Sequence, residues 1–185
     1  MNAAGSVEGD DSIRLFCALT LPEDVLDRLV AWQELLPAGA YRPVLRDNLH
    51  VTLAFLGSRP FHEVEPVRAE LEAAAAGARP IVLRERRYRE TRSVGMLVLE
   101  DEDGAAGELA RDLHERLHGL GVYEPERRPW LPHLTVVRFR ERPRLSPPLP
   151  GLGPFGPSGA AVYHSVLRRT GAEYVVLHAV QLCCS

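Results

Sequence analysis

Two short segments of the sequence repeat one pair of chemically useful residues, a histidine followed two positions later by a threonine. The first pair is His50 and Thr52, and the second is His133 and Thr135. An imidazole can donate or accept a proton near neutral pH, and a threonine hydroxyl can donate a hydrogen bond to an oxygen on which negative charge develops. Two such pairs around one substrate would combine an acid, a base and two hydrogen-bond donors.

Both pairs lie in segments whose apolar residues alternate with period two, which is typical of a half-buried strand. In the first segment the expected core face consists of Leu49, Val51, Leu53 and Phe55, and the opposite face consists of His50, Thr52 and Ala54. In the second segment Leu134 and Val136 take the core side. The sequence therefore predicts that each histidine and its threonine project side by side, away from the core.

The two histidines are 83 residues apart, and the same shift superposes other segments without gaps. It places residues 13–16 on 96–99, both strand-like, and the amphipathic stretch 23–35 on 106–118. Each half then reads strand, helix, loop and strand with His-x-Thr, as expected after a duplication. Two halves packed about a pseudo-twofold axis would bring both polar faces to one cleft. A single histidine of this kind is more often structural, whereas two in register favour a functional site.

Periodicity and helix-breaking residues predict the remaining elements. The predicted helices are 23–35, 63–76 and 108–120, the further strands are 81–83, 161–167 and 174–182, and the Pro- and Gly-rich residues 143–157 are a loop. The predicted fold class is α+β. It has two pseudo-symmetric lobes of antiparallel strands with helices on the outside and the active-site cleft between the lobes.

Length and composition limit the class of protein. The chain has 185 residues, of which 45% are hydrophobic, so we expect one domain over residues 13–185 after a disordered tail of residues 1–12. The net charge of −3 argues against a protein that coats nucleic acid non-specifically. All 22 basic residues are arginine, which fits either phosphate recognition or a GC-rich coding sequence.

The sequence also predicts a location and a redox state. No apolar run approaches the ~20 residues that cross a bilayer, and residues 1–12 lack the features of a secretory signal. We therefore expect a cytoplasmic monomer without membrane association. The cysteines Cys17, Cys183 and Cys184 provide neither an even disulfide framework nor metal-ligand spacing, so reduced thiols are expected.

The chain resembles the two-histidine phosphoesterases, specifically the 2′-5′ RNA ligase family of RNA 2′,3′-cyclic phosphodiesterases. The paired His-x-Thr motifs, within 48–57 and 132–136, carry the resemblance, and weaker flanking matches at 13–19, 21–22, 162–167 and 171–174 fall in the right order. Two features depart from the family pattern. His164 stands where many relatives have arginine, and the arginine-rich residues 84–92 have no counterpart that can be carried over.

The resemblance implies a reaction and roles for the motif residues. A 2′,3′-cyclic phosphate on an RNA end or a small cyclic nucleotide would be opened to a 2′-phosphate without metal or other cofactor. By resemblance His50 is the proton donor to the 3′ oxygen and His133 is the proton acceptor, while Thr52 and Thr135 bind the substrate phosphate. The same groups would support reversible 2′-5′ RNA ligation. The residues alone leave the two histidine roles exchangeable, because the motifs are alike.

Two other classes of function compete with this interpretation. His114, Glu115 and His118 fit the zinc hydrolase motif H-E-x-x-H, in which two histidines one helical turn apart bind the metal and the glutamate activates water. An amphipathic helix with a solvated polar face explains the same residues. The second alternative is a non-catalytic binder of nucleotides or RNA ends that retains the cleft without turnover.

The sequence does not decide the role of two arginine-rich stretches. Residues 84–92 carry five arginines, which fits either a phosphate-contacting loop or a solvated strand pair. Four arginines alternate from Arg138 to Arg144, on the face of Leu134 by parity. They would enter the cleft only if a β-bulge changed the register.

Overall fold

The computed structural model describes residues 12–169 and 171–182. Its elements in chain order are β1 (Ser12–Thr20), α1 (Glu23–Glu34), β2 (Tyr41–Pro43), β3 (Val51–Pro60), α2 (Val64–Ala76), β4 (Leu83–Glu90), β5 (Val94–Asp101), α3 (Ala105–Gly119), β6 (His133–Phe139), β7 (Gly159–Arg168) and β8 (Gly171–Val180). The expected tail lies outside the described residues except for Ser12, the first residue of β1. Cys183 and Cys184 also lie outside them.

The strands form one eight-stranded antiparallel sheet in the order β4-β5-β6-β3-β1-β7-β8, with β2 paired to β6. The predicted α+β class is therefore confirmed. We call β1, β3, β7 and β8 the first lobe, and β2, β4, β5 and β6 the second lobe. The C-terminal hairpin thus completes the lobe that the N-terminal strand begins.

The main hydrophobic core lies between the helices and one face of this sheet. Helix α1 begins at Glu23 after Pro22, with Glu23 and Asp24 at its positive end, and buries Val25, Leu29 and Trp32. A second, smaller cluster on the other face consists of Phe16, Ala18, Ala161 and Tyr163. This second cluster shows that the sheet has an occupied concave side as well as a helix-covered one.

The internal repeat is present, but the ungapped superposition is wrong for the first strand of each half. Ala18 pairs with Thr52, and Met96 pairs with Thr135, so Ala18 and Met96 are the equivalent residues. Their separation is 78 residues rather than 83, because the connection from strand to helix is longer in the second half. The shift of 83 residues holds for the motif strands β3 and β6.

The C-terminal prediction is confirmed, with longer strands than expected. β7 and β8 form a hairpin in which Arg168 pairs with Gly171. The short strand predicted at 81–83 is wrong in its extent, since β4 begins at Leu83 and includes most of the arginine-rich stretch. That stretch therefore belongs to a strand pair, β4 with β5, rather than to a loop.

The long loop between β6 and β7 covers the edge of the second lobe. The backbone of Phe155 exchanges two hydrogen bonds with Leu83, at 2.8 and 2.9 Å, and Leu152 N–H donates to Glu85 at 2.6 Å. Trp32 Nε1–H on α1 donates to the Pro148 carbonyl at 2.8 Å. The two hydrogen bonds with Phe155 satisfy the backbone of Leu83 on β4, an edge strand that would otherwise be open to pairing there. Within the described ranges no helix has the length and apolarity needed to span a membrane.

Candidate active site

The two motifs meet where the lobes join. β3 and β6 pair through Val51 and Leu134, which are equivalent positions of the repeat. A pseudo-twofold axis therefore passes beside this pair. On one side of this pair His50 lies opposite Thr135, and on the other side Thr52 lies opposite His133. All four motif side chains line one cleft of about 260 Å³.

His50 is fixed by hydrogen bonds at both ring nitrogens. Its Nδ1 lies 2.8 Å from the Asn48 carbonyl oxygen, which can only accept, so Nδ1 carries a proton. Its Nε2 lies 3.1 Å from Thr52 Oγ1. In the neutral ring Nε2 therefore accepts from the threonine hydroxyl. Asn48 is itself tied to β8, because its Nδ2 donates to the Ala172 carbonyl at 2.9 Å.

Three aromatic side chains from three strands of the first lobe, which we call the aromatic floor, pack against the ring of His50. The centroid of its ring lies 5.0 Å from that of Phe16, 6.1 Å from that of Tyr163 and 5.4 Å from that of Tyr174. The pKa of His50 is lowered to about 4, chiefly by burial of the ring; the Asn48 carbonyl opposes this shift, and the charges of Arg138 and His133 add to it. His50 is therefore neutral at pH 7 in the empty cleft.

His133 has the same backbone contact in a more open environment. Its Nδ1 donates to the Leu131 carbonyl at 2.8 Å, two residues before it, as in the first motif. The described residues show no hydrogen bond between its ring and Thr135, and no aromatic ring stacks against it. The second motif thus repeats the orientation of the first imidazole without its aromatic surroundings.

A β-bulge follows the threonine in both motif strands. Leu53 is the extra residue of β3, between the pairs of Thr52 and Ala54 with β1. Val136 is the extra residue of β6, between the pairs of Thr135 and Val137 with β5. These are equivalent positions of the repeat. In each strand two consecutive residues are consequently buried, and the alternation of faces changes after them.

The bulges bring Phe55 and Arg138 into the cleft, where they occupy equivalent positions five residues after each histidine. The prediction that Phe55 packs in the core is wrong, since its side chain is 51% exposed, and the prediction that Ala54 shares the polar face is wrong, since it is 2% exposed. The bulge that the sequence analysis required for Arg138 is present. The available signal was the pair of consecutive apolar residues after each threonine.

The zinc motif on α3 is used for packing. His114 Nε2 donates to the Leu53 carbonyl at 2.7 Å, its ring stacks on Tyr123 at 4.6 Å, and His118 Nδ1 donates to the Tyr123 carbonyl at 3.1 Å. Both rings thus hold backbone carbonyls, one of them on the bulge of β3. In the part of the chain that the structure describes, no group of three or more His, Cys, Asp or Glu is placed to hold a metal ion.

Paired His-x-Thr strands on one curved antiparallel sheet define the class of two-histidine phosphoesterases. Comparisons with known proteins agree. The family model described as LigT like Phosphoesterase matches residues 19–89. The RNA 2′,3′-cyclic phosphodiesterase of Thermus thermophilus is 31% identical over 92% of this chain and 90% of its own length. That of Escherichia coli is 29% identical over 89% of this chain and 93% of its own length.

A solved structure has the same architecture. The crystal structure of TT0787 of Thermus thermophilus superposes with a TM-score of 0.79 and 30% sequence identity, covering 92% of this chain and 98% of that one. The chain belongs to the LigT-like family of RNA 2′,3′-cyclic phosphodiesterases.

Proposed function

We propose that this protein opens 2′,3′-cyclic phosphates at RNA ends to 2′-phosphates, with His50 and His133 as the acid–base pair. The observation that carries the proposal is the equivalent placement of the two imidazoles in one cleft. Each has Nδ1 bound to the carbonyl two residues earlier, at 2.8 Å. This contact leaves Nε2 as the reactive nitrogen in both rings. The substrate phosphate lies between them, and residues 13–185 act as one monomeric domain.

Each histidine has a distinct task in ring opening. His133 accepts a proton from the attacking water through Nε2, and His50 donates a proton to the departing 3′ oxygen. The phosphate keeps its bond to the 2′ oxygen, so the product is a 2′-phosphate. With a 5′-hydroxyl in place of water, the same two groups form a bond from its oxygen to phosphorus and break the bond to the 3′ oxygen, which gives a 2′-5′ bond.

Because its pKa is lowered, His50 must first be protonated before it can act as the proton donor. A donor must be protonated, whereas His50 is neutral in the empty cleft at pH 7. A cyclic phosphate brings a negative charge next to the ring, and an adjacent anion raises the pKa of an imidazole. Protonation of His50 is therefore coupled to substrate binding, which limits the acid form of the enzyme to the complex.

Charge that builds on the phosphate oxygens is stabilised by side chains from both lobes. Thr52 and Thr135 each supply one hydroxyl donor, and Arg138 supplies a guanidinium on the same side of the sheet. Acid, base and anion-stabilising groups are then all side chains of this chain. The proposed reaction is accordingly metal-independent.

The test is turnover of uridine 2′,3′-cyclic phosphate and of an oligoribonucleotide ending in a cyclic phosphate, in the presence of EDTA. Phosphorus NMR of the product distinguishes 2′-phosphate from 3′-phosphate. We expect undiminished turnover and 2′-phosphate alone. Binding without turnover would instead identify a non-catalytic RNA-end binder. Activity lost in EDTA and restored by zinc would return attention to His114 and His118.

A further inference from the structure

On the cleft face of the second lobe, two arginines stand in the same cross-strand rows as the second motif. The two rows, read from β4 through β5 to β6, are Arg87–Val98–His133 and Arg89–Met96–Thr135. Residues that pair across a sheet point to the same face, so both arginine side chains lie on the side of His133. Neighbouring strands are about 4.8 Å apart, which puts the two arginine backbones about 10 Å from the motif.

The surface between these arginines and the catalytic residues is a continuous groove. Arg89 lines a groove of about 570 Å³ together with Thr52, Phe55 and His133. Arg89 also lines an adjoining depression of about 630 Å³, whose other basic residues are Arg87, Arg142 and Arg144. Because Arg89 lines both depressions, they connect the catalytic residues with these four arginines. We call them the arginine surface.

The charges of this surface are largely uncompensated. Among the described residues, no acidic side chain forms an ion pair with Arg87, Arg89 or Arg144. Arg84, on the same strand, differs because both its Nε and a terminal nitrogen donate to Glu102, at 2.9 and 2.7 Å. In a chain of net charge −3, a cluster of unpaired guanidinium groups beside the cleft is a local excess of positive charge.

A buried carboxylate holds the two parts of the surface together. The side chain of Glu90, at the end of β4, is 2% exposed and accepts from Arg142 Nε at 3.0 Å. It also accepts the backbone N–H groups of Arg144 and Leu145, at 3.0 and 2.7 Å. Arg144 has a positive φ of 58°, which turns the chain at this point. Glu90 thus fixes the loop that brings Arg142 and Arg144 beside the arginines of β4.

We propose that the arginine surface binds backbone phosphates of the RNA strand on the 5′ side of the reacting end, which makes oligoribonucleotide ends the preferred substrates. This inference rests on the proposed function. A cyclic phosphate terminates its strand, so the remaining phosphates all leave the cleft in the 5′ direction. Guanidinium groups suit such phosphates, because they present paired donors and remain charged. A cyclic mononucleotide has no such phosphate and cannot use the surface.

The experiment compares two substrates across matched variants. kcat/KM is measured for uridine 2′,3′-cyclic phosphate and for a pentauridylate ending in the cyclic phosphate, at several salt concentrations. For R87A and for R89A we expect the ratio of the oligonucleotide value to the mononucleotide value to fall about 10-fold, as for the loss of a charged hydrogen bond. The logarithmic salt dependence for the oligonucleotide should weaken by about 0.7 per lost phosphate contact. R84A, on the same strand but paired with Glu102, should leave both quantities unchanged.

Three further variants separate charge from geometry. R87K and R89K keep the charge and should restore most of the salt dependence while recovering less of the ratio, because lysine lacks the paired donors. E90Q should lower the ratio through Arg142 and Arg144 without touching RNA itself. Circular dichroism and the melting temperature identify any variant whose fold is disturbed.

The possible outcomes distinguish this inference from the proposed function. If the wild type opens both substrates and R87A and R89A keep the wild-type ratio, the arginine surface does not bind the strand and the inference is wrong. If the wild type opens neither substrate, the proposed function is wrong. In that case the affinity of pentauridylate 2′-phosphate decides the inference, since R87A and R89A, but not R84A, should bind it about 10-fold more weakly.

Discussion

The two lobes place the same backbone motif in opposite chemical environments. In the first lobe the imidazole of His50 rests on Phe16, Tyr163 and Tyr174, and the bulge that follows delivers Phe55. In the second lobe His133 has no such floor within the described residues, and the equivalent bulge delivers Arg138. Symmetric strands therefore create an asymmetric site. The repeat therefore determines where the two imidazoles lie, whereas the neighbouring side chains determine which imidazole donates a proton and which accepts one.

The largest expected effect is the loss of either imidazole. H50Q and H133Q should each lower single-turnover rates by on the order of 10³- to 10⁴-fold, because each removes one of two coupled proton transfers. The double variant should be little slower than either single variant, since groups that act as a unit lose their effect together. Single-turnover measurements decide this. A loss of only a few-fold in one variant would mean that one lobe alone carries the chemistry.

The threonines should differ more subtly between the lobes. T52V and T135V should each lower turnover on the order of 10- to 1,000-fold, as for the loss of one anion-stabilising donor. Only Thr52 forms a hydrogen bond with the histidine of its own motif, at 3.1 Å. Only T52V should therefore also shift the pKa of His50 in the pH–rate profile. The pH–rate profiles of the two variants give the comparison. Unchanged turnover in both would assign the hydroxyls to the strands rather than to the phosphate.

The residues delivered by the two bulges test the asymmetry at matched positions. R138M removes a charge that faces the phosphate and should lower turnover by on the order of 100-fold. F55L, at the equivalent position, changes only apolar contact and should cost less than about 10-fold, mainly in KM. Steady-state kinetics on the cyclic mononucleotide measures both. Equal effects in kcat would show that the cleft does not distinguish the two positions.

Some of this site can be predicted from the sequence, and the reasons are local. Period-two alternation and an identical spacing place His50, Thr52, His133 and Thr135 on two equivalent strands. Alternation does not predict the bulges after Thr52 and Thr135, because pairing with β1 and β5, and not the motif itself, determines the extra residue in each strand. Alternation therefore fails at Phe55 and gives the wrong face for Ala54.

Other parts depend on strands distant in sequence. The floor under His50 comes from β1, β7 and β8, so its lowered pKa cannot be read near the motif. The offset of five residues between β1 and β5 escapes an ungapped comparison, because turn lengths between strand and helix differ. Arg87 and Arg89 are aligned with the second motif only through the register of β4 on β5. A further bulge in β4 determines that register.

A further expected effect is on stability, and it also separates the lobes. The pKa of His50 is near 4 in the folded protein and about 6.5 in the unfolded chain. Between these values the unfolded state binds more protons, so stability is complete above pH 6.5 and declines as the pH falls towards 4, by about 3 kcal/mol from this group.

Urea unfolding of the wild type, H50Q and H133Q between pH 4 and pH 8 checks this prediction. H50Q should flatten the decline, and H133Q should keep it, because the aromatic floor surrounds His50 alone of the two. A decline of the same size in all three proteins would attribute the acid sensitivity to other groups.

The central claim is that the first-lobe histidine becomes an acid only when the substrate phosphate is bound. Proton–nitrogen NMR of the two imidazoles, titrated with and without bound uridine 2′-phosphate, measures this directly. We predict a pKa near 4 for His50 in the empty cleft, rising by about three units with the ligand so that the ring is protonated at pH 7, while its Nδ1 remains protonated throughout. A His50 that stays neutral in the complex at pH 7, beside a protonated His133, would contradict the assigned roles and exchange donor and acceptor.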